Sequence, residues 1–441
     1  MLTAFVRAFQ TPDLRKKLLI TLGLIALFRF GASLPTPGVD VKNVSYCAGL
    51  ATAAGSSTAG VLQIVNLLSG QALLRLSVFA LGIMPYITAS IILQLLTVVI
   101  PRLETLKQEG QAGQAKITQY TRYLTVGLAI LQSTGIVALA RSGKLFQSAL
   151  QCNQTLIPNP SVFTITTMVI TMTAGTAVIM WLGELITDRG VGNGMSLLIF
   201  TQVIAVIPGE MLQIRSSRGN FVFGVVVAVG IAIIAFVAFM EQAQRRIPVQ
   251  YAKRMVGRRM YGGTSTYIPL KVNQAGVIPV IFASSLLYIP QLAASLFGNQ
   301  NHPQPWFKWI ETYMVRGDSP IYMLTFFVLI VFFTYFYVAI TFNPTEVADN
   351  MKKYGGFIPG IRPGRPTAEY LNFVLTRLTA PGSLYLGVIA LIPMVALALV
   401  GATQNFPFGG TSILIAVGVG LDTVKQIESQ LQQRNYEGFL R

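Results

Sequence analysis

Ten mostly apolar blocks recur along the chain: Leu18–Leu34, Leu76–Ile100, Tyr120–Ala140, Val162–Leu182, Gly194–Ile207, Phe221–Met240, Ala275–Phe297, Ile321–Phe342, Leu384–Val400 and Thr411–Leu421. Crossing a hydrocarbon core as a helix takes roughly 20 such residues. The pattern therefore predicts ten membrane-spanning helices, the fifth and tenth being the shortest. An even number places both termini on one side. Arg15, Lys16 and Lys17 ahead of the first block resemble a secretory signal. No A-x-A site closes that block and nine more follow, so it is read as an uncleaved first span.

Charge orients the array. If the termini are cytoplasmic, that face holds 24 Lys and Arg and the other face 7, with Arg29 and Arg75 in or at the mouths of spans. This is the positive-inside asymmetry. It accounts for the net charge of +17 without a nucleic-acid partner. Composition agrees: 53% of residues are hydrophobic and 11% charged, against about 25% charged in soluble proteins. So few charges could not clothe a water-soluble globule of this size.

Two cytoplasmic connections are long and basic, 241–274 and 343–379. Gly262, Gly263, Pro269, Gly355, Gly356, Pro359, Pro363 and Pro366 make them stiff, turn-bearing projections. On the far side, Val41–Gly60 is small and polar and reads as a loose tether. It leads to Val61–Leu68, too short to span, whose Val61, Leu62, Val65 and Leu68 share one helical face. Cys47 and Cys152 both fall on the far side and are read as free thiols, because one lies in that tether.

An internal repeat carries the most information. Gly82-Ile83-Met84-Pro85-Tyr86-Ile87-Thr88-Ala89-Ser90 in the second block matches Gly276-Val277-Ile278-Pro279-Val280-Ile281-Phe282-Ala283-Ser284 in the seventh. Gly194-Met195-Ser196-Leu197-Leu198-Ile199 in the fifth matches Gly410-Thr411-Ser412-Ile413-Leu414-Ile415 in the tenth. Both pairs lie five spans apart. Five is odd, so the halves, 1–210 and 211–441, have opposite orientation in the membrane. Pro-interrupted helices at matched positions point to a central pathway between such halves.

The matching pairs Ile87 with Ile281 and Ile199 with Ile415, and no ionisable group stands beside them. Ion and small-solute transporters place charges at such positions. A constriction of branched apolar side chains instead excludes water and ions by dewetting, and stays soft enough for something large and heterogeneous. No nucleophile–base pair, paired carboxylates or phosphate loop appears. The single His302, in an external loop, and two cysteines cannot build a metal site. A passive channel is therefore expected, with no enzyme activity and no cofactor. A secondary transporter with inverted repeats is the alternative.

At this level of detail a family resemblance emerges. The segments Ala80–Ile87, Gly190–Gly194, Gly257–Arg259, Lys271–Pro279, Asn343-Pro344, Ala348–Asn350, Pro359–Gly364 and Gly409–Ser412 together resemble the SecY family, channel subunits of the bacterial protein translocase. The resemblance covers essentially the whole chain. It implies an all-α membrane fold of two inverted five-helix halves, a lateral gate between spans two and seven–eight, and a plug over about 61–75. It adds Ile83 to Ile87, Ile199, Ile281 and Ile415 as a pore ring. It assigns partner docking to Arg258, Arg259 and Arg362. The implied partners are the SecE and SecG subunits, the SecA motor, the ribosome, the preprotein substrate and membrane lipids. The implied location is a bacterial inner membrane, or a thylakoid membrane in a photosynthetic cell.

Overall fold

The computed structural model describes residues 9–53, 72–73, 75–141, 155–251, 254–256, 259–261, 265–297, 313, 319–400 and 410–437. Twelve helices are described here: α1 (Pro12–Ser33), α2 (Val41–Ala53), α3 (Met84–Val99), α4 (Pro101–Gln108), α5 (Gln111–Arg141), α6 (Val162–Arg189), α7 (Gly194–Gln242), α8 (Ile278–Phe297), α9 (Pro320–Thr341), α10 (Pro344–Lys353), α11 (Arg365–Val400) and α12 (Gly410–Glu437). Every expected span falls on one of them. Five described helical stretches are long and apolar enough to cross a bilayer, or six with α3 and α4, which meet at a 105° bend. The fifth and sixth spans are the two arms of α7, which turns at Gly219 (φ 82°).

The second span begins later than its hydropathy suggests. Residues 75–83 run as turns, and the helix starts at Met84. Leu76 adopts φ 46°, and its carbonyl accepts hydrogen bonds from both Thr36 N (3.0 Å) and Thr36 Oγ1 (2.8 Å). Val78 N donates to Leu34 O (2.9 Å). Backbone polar groups must be satisfied within the membrane, and here the end of α1 does so in place of helical bonds.

One large apolar core draws on helices from α1 to α12 and takes in Phe28, Leu76, Phe79, Ile199, Ile281, Phe326, Leu386 and Ile415. Close approaches are made possible by small residues. A Cβ on Gly175 of α6 would lie 2.2 Å from Val78 O, so α6 packs directly on the backbone leading into α3.

The tether reading of Val41–Gly60 is corrected. Its first part is α2, started by Asp40, whose Oδ1 accepts from Lys42 N (3.0 Å) and Asn43 N (3.3 Å). Asn43 Nδ2 donates to Thr155 O (3.0 Å), holding α2 against the segment before α6. Cys47 is buried and disulfide-bonded, not free. The chain's other cysteine, Cys152, lies outside the described residues. A capped helix can hold a cysteine in bonding position, which a loose tether would not.

The two long basic loops add a small sheet to the helical fold. The strands β1 (Gln244–Tyr251), β4 (Ser265–Lys271) and β5 (Gly356–Phe357) form a sheet of order β4-β1-β5, and β2 (Arg254–Val256) pairs with β3 (Arg259–Tyr261). Along β1, Ile247 and Val249 are buried between exposed neighbours, the period-two pattern of a half-covered strand. Register is antiparallel, with Ile247 opposite Ile268 and Gln250 opposite Phe357. Because β1 pairs with strands from both loops, the two projections are one platform. Its own core comprises Ile247, Leu270, Ile358, Leu371 and Val374, the last two from α11.

Candidate pore and basic-loop platform

The repeat seen in the sequence reappears in the backbone. Gly82 (φ 56°) and Gly276 (φ 61°) both adopt a left-handed conformation that side chains disfavour. In each copy the helix begins two residues later, at Met84 or Ile278, with Pro85 or Pro279 in its first turn, where the missing N–H costs nothing. The second matched pair also marks helix starts: α7 begins at Gly194 and α12 at Gly410. Asn193 caps α7, its side chain accepting from Met195 N (3.1 Å) and Ser196 N (3.3 Å).

These helix starts bring the isoleucines together. Ile83, Ile199, Ile281 and Ile415 are buried in the large core, and Ile87 packs against it. Ile87, Ile199 and Ile281 line one open cavity of about 530 Å³; Ile83 and Ile415 are not among its lining residues. Ile91, Ile278 and Phe282 extend the apolar part of the lining. Phe282 stacks edge-on against Phe333 and Tyr337 of α9, with ring centroids 5.6 and 6.3 Å apart, so α8 is held to α9 by aromatic contacts.

The rest of the cavity wall is polar and was missed by sequence reasoning. Gln94, Thr118, Arg122, Glu184, Asp188 and Ser196 line it. Arg122 on α5 donates from Nε and Nη2 to Glu184 Oε1 and Oε2 on α6, at 2.8 and 2.7 Å. A bidentate pair fixes both planes and braces the two helices. The two residues lie 62 positions apart on different spans, so no local spacing signals the pair. Polar groups thus reach the cavity from one end of the spans, while isoleucines supply its apolar lining.

Val61, Leu62, Val65 and Leu68, the residues expected to form a plug, lie outside the described residues, as does Arg258. Arg259 opens β3, paired across the hairpin with Val256. Arg362 is exposed on a turn built by the backbone: Ile361 N donates to Ile358 O (3.0 Å), and Arg362 O accepts from Thr367 Oγ1 (2.9 Å). Gly360 (φ 84°) and Gly364 (φ 107°) flank it.

A polytopic helical membrane protein with an inverted repeat and an internal cavity lined by isoleucines and polar side chains belongs to the class of membrane channels and transporters. The comparisons narrow the class. The SecY family model matches residues 77–424. Over its whole length the chain is 67% identical to the protein translocase subunit SecY of Streptomyces galbus and 60% identical to that of Mycobacterium bovis, covering 100% of each. The chain belongs to the SecY family. Among solved structures, a protein-conducting channel aligns with a TM-score of 0.63 at 17% identity, covering 94% of this chain and 92% of that one. Sec61 from a canine ribosome–channel complex aligns with a TM-score of 0.59 at 17% identity, over the same shares of both chains.

Proposed function

We propose that this chain is the pore subunit of a protein translocase, a passive channel that passes unfolded polypeptides across the membrane and releases apolar segments sideways between spans two and seven–eight. The observation that carries this reading is the cavity in which isoleucines of α3, α7 and α8 form a shared apolar wall, the charged Arg122, Glu184 and Asp188 belonging to the polar remainder of its lining. An apolar girdle resists water and ions at rest yet binds no polar solute, as a conduit for varied chains requires. A coupled transporter needs an ionisable site at its broken helices. The matched segments of α3, α7, α8 and α12 carry none.

Ile83, Ile87, Ile199, Ile281 and Ile415 form the ring in this reading. The segment around 61–75 is its plug, and residues 1–210 and 211–441 are the two halves. Both termini face the cytoplasm. The 24-to-7 asymmetry of basic residues supports that orientation, and so does the disulfide at Cys47, since such bonds persist on oxidising, exported faces. Arg258, Arg259 and Arg362 meet the ribosome and the SecA motor, and SecE and SecG complete the complex in a bacterial inner membrane. The test is reconstitution in vesicles with SecE and SecG. Supplied with SecA and ATP, they should transport a secretory precursor. Ion-driven uptake of a small solute without those partners would point to the transporter instead.

A further inference from the structure

The cytoplasmic platform meets the membrane at a short elbow, residues 272–277, between the end of β4 and the start of α8. Four groups clamp it. Val272 N donates to Ala243 O (3.0 Å), closing the base of the β1–β4 hairpin. Asn273, which is 4% exposed, donates from Nδ2 to Glu241 Oε1 (2.5 Å) on the last turn of α7 and to Gly276 O (3.2 Å). Lys271 Nζ pairs with Asp422 Oδ1 (3.3 Å) on α12. From the fourth side α11 presses on the elbow through Gly382, where a Cβ would lie 2.4 Å from Val272 O.

The connections of these four groups give the elbow its meaning. Asp422 stands seven residues beyond Ile415, two turns along the same face of α12. Glu241 ends the arm of α7 that runs directly into β1. The start of α11 follows the Arg362 turn, and its Leu371 and Val374 are part of the platform core. The elbow itself continues into α8, which presents Ile281 to the cavity. Asn273 Oδ1 is buried without a hydrogen-bond partner among the described residues. An orphaned acceptor raises the energy of the arrangement that contains it. It therefore favours any shift of the elbow that gives this oxygen a donor.

We propose that the 272–277 elbow transmits load from the docking platform to the α8 gate helix, with Asn273 as the positioning residue that Glu241 holds in the resting arrangement. This rests on the translocase reading above. The experiment uses the full reconstituted complex and three measurements: resting ion flux, motor binding to the vesicles, and ATP hydrolysed per precursor transported. Asn273→Ala and Glu241→Ala should each raise resting flux and ATP consumed per chain about tenfold, as expected for loss of one buried hydrogen bond. Motor binding should stay at the parental level. Glu241→Gln keeps a carbonyl acceptor and should return both quantities close to parental, which a merely electrostatic role would not allow. Lys271→Met, at an exposed ion pair, guards against misfolding of the buried variants and should show the same uncoupling to a smaller extent. Parental flux and ATP use in both Asn273→Ala and Lys271→Met would overturn the proposal. Failure of the parent complex to transport at all would instead overturn the translocase reading.

Discussion

Reversing Arg362 to Glu separates the cost of a residue to the fold from its worth to a partner. The guanidinium is exposed, and the turn is held by backbone groups: Ile358 O, Gly364 O and the Arg362 carbonyl itself. No described ion pair involves the side chain. Surface substitutions of this kind shift stability by about 0.5 kcal/mol or less. A charge paired across a desolvated interface is worth about 2–5 kcal/mol, or some 30-fold to several thousand-fold in affinity. Arg362→Glu should therefore keep the melting temperature of the purified complex and its resting ion tightness, while SecA-driven transport of a precursor falls by at least 30-fold. Melting curves in detergent and transport into reconstituted vesicles are the two assays. Normal ATP-driven transport would reduce this loop to a topology anchor. A large loss of melting temperature would show that the turn depends on Arg362 after all.

Replacing Ile87 and Ile281 together with Asn should wet the constriction, and planar-bilayer conductance at rest should rise; unchanged conductance would remove these residues from the seal. Deleting 61–68 should let the resting channel open intermittently while substrates still cross, and a fully quiet deletion would show that the segment seals nothing. Reversing both Arg258 and Arg259 to Glu should weaken ribosome binding and flatten its dependence on salt, the log–log slope falling by about 1–2 as phosphate contacts are lost. A slope equal to the parent's would exclude RNA contact by this hairpin.

The parts of the fold that rest on local periodicity were legible. The ten apolar blocks coincide with helices, because burial in lipid demands both composition and length. The repeat was legible because Gly and Pro carry backbone conformation in their identity: Gly82 and Gly276 share a left-handed φ, and their helices begin at equivalent positions. Features that depend on distant pairing were not. The sheet joining the two basic loops needs Gln250 opposite Phe357, 107 residues away, and strands this short carry little hydropathy signal. The Arg122–Glu184 brace is likewise a property of how α5 and α6 face each other. Val41–Gly60 reads as a tether because its residues are small and polar, yet Asp40 and the bond from Asn43 to Thr155 make its first part, Val41–Ala53, a docked helix.

The helix starts also bear on the electrostatics of the proposed ring. Ile87 and Ile281 each stand three residues into their helices, which begin at Met84 and Ile278. Ile199 and Ile415 each stand five residues in, from Gly194 and Gly410. In the proposed ring each matched pair therefore sits at the same depth from a helix N-terminus, and all four residues lie within about two turns of one. Each such end carries roughly half a positive charge, and in a low-dielectric wall that field is poorly screened. In the proposed reading the intact ring keeps water and ions out regardless of sign. Once Ile87 and Ile281 are replaced by Asn and the constriction is wet, four convergent positive ends should favour anions over cations. Reversal potentials across a chloride-salt gradient measure this directly. A cation-selective leak would mean that the carboxylates of the polar wall, Glu184 and Asp188, dominate the field at the constriction.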